Sequence, residues 1–107
     1  LIYRDQKNPR LSPAYDILTT SLYIKDERHF SLNLAKNKDW YHANLEHFKF
    51  WSEQVDVPWR VIKPHLDDTL EKARDLWPSL ISQLPITDAH KTKLQQHWKL
   101  LRTDFRV

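Results

Sequence analysis

Not one of the 107 residues is glycine, and this constrains the chain before any other feature does. At the average usage of about 7%, roughly seven glycines belong in a domain of this size. Their absence excludes, within these residues, every glycine-built phosphate cradle: the dinucleotide fingerprint, the P-loop and the glycine-rich loop of protein kinases. Helices are also expected to stop without the usual left-handed glycine cap. Methionine is missing too, and the chain begins at Leu1. A processed product or a fragment is therefore expected.

Hydrophobic residues make up 40% and charged residues 29%, with five Trp, four Tyr and four Phe. That is the composition of a folded chain rather than a disordered one. There is no cysteine, so disulfides and thiolate metal sites are excluded and a reducing cytosol is compatible. No apolar run approaches the roughly 20 residues that span a bilayer, and the start lacks the charged-then-apolar order of a signal peptide. These features leave the compartment open, and no membrane partner is expected. The net charge of +3 is unevenly placed. Residues 1–87 carry twelve basic and twelve acidic side chains, whereas Lys91, Lys93, Lys99, Arg102 and Arg106 face only Asp88 and Asp104. The chain thus has a local basic region, not a basic character throughout.

Residues 1–39 are patterned differently from the rest of the chain. Leu1–Tyr3 is apolar, Asp5–Pro9 is turn chemistry, and Arg10–Leu11 resumes the apolar pattern, which suggests a hairpin. Ser31–Leu34 alternates as a strand does, and Lys36–Asp39 breaks the alternation. This stretch is expected to be irregular, with short strands. From residue 40 the period becomes helical. Leu45, Phe48, Trp51 and Val55 recur on one face, with Asn44 as a candidate N-cap. Pro58 suits a first helical position, and a stripe from Trp59 through Ile62, Leu66, Leu70 and Ala73 to Trp77, Leu80 and Leu84 lies beyond it. Pro64 and Pro78 lie inside that stripe and predict a bent or broken second helix. After Pro85, Thr87 or Asp88 can cap a third helix with Leu94, Trp98, Leu101 and Phe105 on one face and Lys91, Gln95, Lys99, Arg102 and Arg106 on the other. The expected fold is mainly α: a short N-terminal hairpin and irregular segment, then a three-helix bundle, forming one unit of residues 1–107.

Few of these residues carry chemistry by pattern alone. His42 and His47 are five apart and off a common helical face; His90 and His97 share a face but are too distant to share a metal. The histidines read as ordinary surface or core residues. The cluster Asp67, Asp68 and Glu71 reads as a solvated face balanced by Lys72 and Arg74. The aromatic residues Phe48, Trp51, Trp59, Trp77, Trp98 and Phe105 lie at helical spacing and read as core packing, though an exposed partner surface could use the same residues. The basic stripe Lys91, Lys99, Arg102 and Arg106 fits a solvated face or a region facing DNA or a partner, and has no interleaved aromatic for stacking bases. Asp16, just after the proline-stiffened Ser12-Pro13-Ala14-Tyr15, is either a turn residue or a carboxylate placed to hold a metal.

The run Arg10-Leu11-Ser12-Pro13-Ala14-Tyr15-Asp16-Ile17-Leu18-Thr19-Thr20 resembles the segment after the catalytic loop in HipA-type kinases. Ser31-Leu32-Asn33-Leu34-Ala35-Lys36-Asn37-Lys38 resembles a later segment of that family, a short strand followed by a basic, polar turn. The resemblance covers roughly the first 40 residues. It implies part of the C-terminal lobe of a HipA-like serine/threonine kinase, the toxin of a bacterial toxin–antitoxin module. By that resemblance Asp16 matches the carboxylate that binds Mg²⁺ bridging the ATP phosphates, with Tyr15 in support. Family substrates are aminoacyl-tRNA synthetases, phosphorylated with growth arrest and persistence as the result. The partner is a helix-turn-helix antitoxin that carries the DNA contact.

The family's catalytic Asp and second metal-binding Asn belong to an Asp-x-His-x-x-Asn loop upstream, and no such pattern occurs in these residues. The nucleotide loop and lysine are also outside them. The resemblance therefore implies that these residues depend on an N-terminal portion of the kinase and neither hold ATP tightly nor transfer phosphate alone. The competing reading is a helical module without catalysis that binds protein or nucleic acid through its aromatic face or basic stripe.

Overall fold

A computed structural model describes residues 2–3, 9–15, 17 and 19–107. Its first elements are two short strands, β1 (Ile2–Tyr3) and β2 (Pro9–Arg10), paired antiparallel with Ile2 opposite Arg10 and Tyr3 opposite Pro9. This is the expected N-terminal hairpin. The next described element is a 3-10 turn at Thr20–Leu22.

A second hairpin replaces the expected polar interruption at Lys36–Asp39. Strand β3 (His29–Leu34) pairs antiparallel with β4 (Asn37–Asp39), Leu34 facing Asn37 across a two-residue turn. That turn places Ala35 at φ 50° and Lys36 at φ 66°. Positive φ at both central residues is the geometry of the twist-matched type I′ hairpin, ordinarily supplied by Asn-Gly. Here an alanine and a lysine carry it, so the usual local signal is missing. The polar strand is held instead by Asn37, whose Nδ2 donates to the Asp39 carbonyl at 2.9 Å while its Oδ1 accepts the Asp39 N–H at 3.2 Å.

Three helices come next: α1 (Leu45–Gln54), α2 (Trp59–Leu80) and α3 (Asp88–Leu100). The protein is thus mainly helical, with a short antiparallel hairpin ahead of the helices. Asn44 caps α1 as anticipated, its Oδ1 accepting the His47 N–H at 3.0 Å while His47 Nδ1 accepts the Asn44 N–H at 3.3 Å. A histidine thereby fills the place that Glu or Gln takes in a capping box. Thr87 caps α3 through the His90 N–H at 3.2 Å.

The left-handed helix stop survives the loss of glycine. After α1, Asp56 takes φ 54°, its N–H bonds to the Glu53 carbonyl at 3.3 Å, and the Val57 N–H bonds to the Ser52 carbonyl at 2.9 Å. These two bonds are those of a Schellman motif, with aspartate where glycine is usual. Short polar side chains tolerate this region better than most.

Of the expected bend or break in the second helix, the break does not occur: α2 runs as one helix through Pro64 and Pro78. Each proline removes one backbone hydrogen bond on an exposed position. The apolar stripe Ile62, Leu66, Leu70 and Ala73 is partly or fully buried on either side of Pro64 and keeps the helix packed. Pro78 lies in the last turn, just before the chain passes into the 3-10 turn Ile81–Gln83. Helix α3 is shorter than its predicted stripe. It ends at Leu100, and Phe105 belongs to a separate 3-10 turn at Thr103–Phe105.

The buried cluster joins distant parts of the chain. Leu22 from the first 3-10 turn packs with Ile81, Leu94 and Trp98, and Ile86 and Val107 lie against them. Lys93 Nζ donates to the Leu22 carbonyl at 3.3 Å, tying the N-terminal segment to α3. Contrary to the expected aromatic core, of the six aromatic residues assigned to it by spacing only Trp98 is buried, because no other described element fully covers the faces of the rest. Trp51 and Trp77 are exposed, and Phe48, Trp59 and Phe105 are half-buried.

Candidate functional site

The predicted metal carboxylate, Asp16, lies outside the described residues. Its described neighbours do not enter the core: Leu11, Pro13, Ala14, Tyr15 and Ile17 are all exposed, and Tyr15 retains 81% of its accessible surface. Among the described residues, no three His, Asp or Glu side chains come together as a metal would need. By the resemblance, Asp16 would share Mg²⁺ with water, phosphate oxygens and groups outside these residues. That donor set is one Mg²⁺ accepts, since it commonly binds one or two carboxylates plus substrate phosphates.

The basic residues do not form one helical stripe. Lys91 is half-buried, its Nζ donating to the Ser82 carbonyl at 3.0 Å and lying 4.0 Å from Asp88 Oδ1. Lys99 is exposed in the last turn of α3. Arg102 and Arg106 flank the 3-10 turn beyond the helix, and Arg106 Nη2 donates to the Leu101 carbonyl at 3.2 Å. Because the helix stops before them, helical spacing no longer aligns these two arginines with Lys91 and Lys99. The acidic cluster on α2 is balanced as a solvated face, but by Lys63 to Asp67 and Lys72 to Asp68. Arg74 turns away from it. Its Nη2 donates to the Asp104 carbonyl at 2.7 Å and its Nε to the Arg106 carbonyl at 2.9 Å, fastening the C-terminal residues to α2.

Where the sequence allowed a core or a partner surface, the structure builds an open apolar groove of about 740 Å³. Trp77, Leu80 and Leu84 from α2 and the turns after it form one wall, and Trp98 and Leu101 another. Phe48 and Phe105 close one end with ring centroids 5.5 Å apart, and Trp77 and Trp98 meet at 5.8 Å. Thr19–Ser21 and the side chains of Phe30 and Trp40 complete the lining. A volume of this order suits a bound apolar group.

The polar edge of the groove is His97. Its Nδ1 lies 2.9 Å from the Tyr41 hydroxyl, and the Trp40 ring meets it edge-on at 5.9 Å. Burial among these rings lowers the imidazole pKa below its ordinary value. The folded protein thus resists protonating His97, while the unfolded chain protonates near pH 6.5. Folding stability falls as pH drops through that value toward the lower pKa of the folded state. Melting at pH 5.5 should therefore occur below that at pH 7.5, and His97→Asn should reduce the difference. An unchanged difference in thermal melts would rule His97 out as its source.

Behind Trp40 stands a cluster that the sequence pattern did not single out. Asp39 accepts from Arg28 Nε at 3.1 Å and ion-pairs with the same guanidinium through Nη2. It also caps the 3-10 turn Trp40–His42 through the Tyr41 N–H at 2.9 Å and lies 3.2 Å from His42 Nδ1. Arg28 in turn sits over the Tyr41 ring, 5.3 Å from its centroid. Burial raises the Asp39 pKa, but the Arg28 hydrogen bond, the Tyr41 N–H and the charges of Arg28 and His42 outweigh it and hold the carboxyl below its ordinary value. The Asp-Trp-Tyr-His run, an N-cap residue before aromatics, was the available sequence signal.

No protein-family model matches the chain, and no solved structure matches it. The chain is similar to a curated protein of Sinorhizobium fredii (strain NBRC 101917 / NGR234) named "Putative kinase Y4dM", with 29% identity over 86 residues. The match takes in 80% of this chain and 21% of the relative. The chain thus spans about a fifth of the relative's length, and the similarity supports a kinase-like relationship.

Proposed function

We propose that these residues belong to the C-terminal lobe of a HipA-like serine/threonine kinase, in which Asp16 is the metal carboxylate. The similarity of 86 residues to a protein named as a kinase carries this reading. The helices serve as support, and the catalytic Asp, the second metal ligand and the nucleotide loop come from an N-terminal portion outside these residues. When bound, Mg²⁺ neutralises phosphate charge and orients the γ-phosphoryl group of ATP. Pro13 fixes φ three residues ahead of Asp16 and limits the freedom of the approach to it. No described helix is long and apolar enough to cross a membrane, which is compatible with the cytoplasmic, bacterial toxin–antitoxin setting the reading implies. Aminoacyl-tRNA synthetases are the proposed protein substrates, and a helix-turn-helix antitoxin the proposed partner and bearer of any DNA contact.

The test is Asp16→Asn in a polypeptide that also carries an upstream Asp-x-His-x-x-Asn loop. Loss of one charge-stabilising group should lower phosphotransfer from Mg-ATP by about 10²–10³-fold or more, with melting unchanged. Retained transfer would sink the assignment of Asp16. The 107-residue chain alone should show no transfer above the buffer background.

A further inference from the structure

The surface of the chain is too large for its mass. It exposes 8764 Å², whereas a folded monomer of 13.0 kDa exposes about 6,300 Å². Its radius of gyration is 16.3 Å, against about 13 Å for a compact domain of this length. The excess of roughly 2,400 Å² is about three times what one partner contributes to a standard protein interface.

Part of the exposed surface is an apolar groove. Trp77, Leu80 and Leu84 stand on the stripe whose periodicity marks a core, yet they remain 47%, 43% and 40% exposed along the groove. Leu11, Tyr15 and Ile17 are exposed and precede in sequence Thr19–Ser21, which line the same groove. Among the described residues no charged side chain lines it, and His97, its one titratable group there, is held toward neutrality. Walls made mostly of Trp, Phe, Leu and Ile fit aliphatic and aromatic side chains. The matched relative extends well beyond the fifth of its length that aligns here.

We propose that the groove seats an apolar segment from the part of a kinase-like polypeptide lying outside these residues, completing a core that this chain supplies only in part. The inference rests on the kinase-like reading for the identity of the occupant.

The experiment uses the 107-residue chain and the Sinorhizobium fredii relative lacking its matched segment, with the apolar dye bis-ANS as the probe of the groove. Alone, the chain should sediment as a monomer and bind the dye. Added in trans, the truncated relative should co-elute with it at one to one and displace the dye. Leu80→Asp and Leu84→Asp, both outside the buried cluster, should weaken dye binding and co-elution by about tenfold or more. Val61→Asp, exposed on α2 and away from the groove, should leave both unchanged and controls for added charge. Absence of co-elution, or co-elution indifferent to Leu80→Asp and Leu84→Asp, overturns the proposal. A dimer of the chain alone that excludes the dye overturns it in favour of a second copy. Phosphotransfer by the complex is read separately: seating without transfer removes the kinase reading and leaves the docking standing.

Discussion

Trp98→Ala should bring the chain to the edge of unfolding at 37 °C. Trp98 is buried in the cluster with Leu22, Ile81 and Leu94, and its ring also meets Trp77. Truncating a buried tryptophan costs about 3–5 kcal/mol through lost transfer energy and the cavity left behind. Small domains hold only about 5–15 kcal/mol in total, and a chain with so few fully buried side chains belongs near the lower end. Urea unfolding followed by far-UV circular dichroism should show the midpoint moving sharply down. Trp51→Ala, at a tryptophan 42% exposed and outside the cluster, should cost under about 1 kcal/mol, as surface changes do. Equal losses at the two sites would mean that the Trp98 cluster is not where the stability resides.

Asp39→Ala should cost about 2 kcal/mol, because it removes a cap and a charge-assisted bond together. The carboxylate joins β4 to Arg28 and to the turn bearing Trp40 and Tyr41, so its loss loosens the wall of the groove as well. Asp39→Asn separates the contributions: the amide oxygen can still accept the Tyr41 N–H, but the charge facing Arg28 is gone. The sign with pH comes from the lowered pKa. Asp39 stabilises the fold above the ordinary carboxylate value near 3.9, and that contribution disappears as pH falls through the folded value below it. Acid titrations monitored by tryptophan fluorescence should show less acid sensitivity in Asp39→Asn than in the parent chain. An identical acid midpoint would show that the ion pair is not what responds.

Local chemistry was legible wherever the interacting groups are close in sequence. Asn44 and Thr87 cap helices because each reaches an N–H three residues ahead, and the paired N-terminal strands Ile2–Tyr3 and Pro9–Arg10 are near neighbours in sequence. The second hairpin was hidden because Ala35 and Lys36 adopt a backbone that their side chains do not advertise. Similarly, Arg74 looked like a partner for the nearby acidic cluster, yet its bonds are with residues 30 and 32 positions away. The aromatic groove was visible only as a choice between core and partner surface, since periodicity marks an apolar face without saying what covers it.

The missing glycines alone exclude a nucleotide cradle within these residues, because such a cradle needs backbone that side chains obstruct. The same absence does not decide how helices stop or strands turn. Asp56, Ala35 and Lys36 occupy left-handed backbone where packing and hydrogen bonds on either side offset its cost. Helical stripes arise from the 3.6-residue period and are written in consecutive residues. Only the tertiary structure decides which part of a stripe is buried: the half of α2 at Ile62–Ala73 is packed, while Trp77, Leu80 and Leu84 are left lining an open groove. Burial depends on which distant elements reach a face, and no local period contains that information.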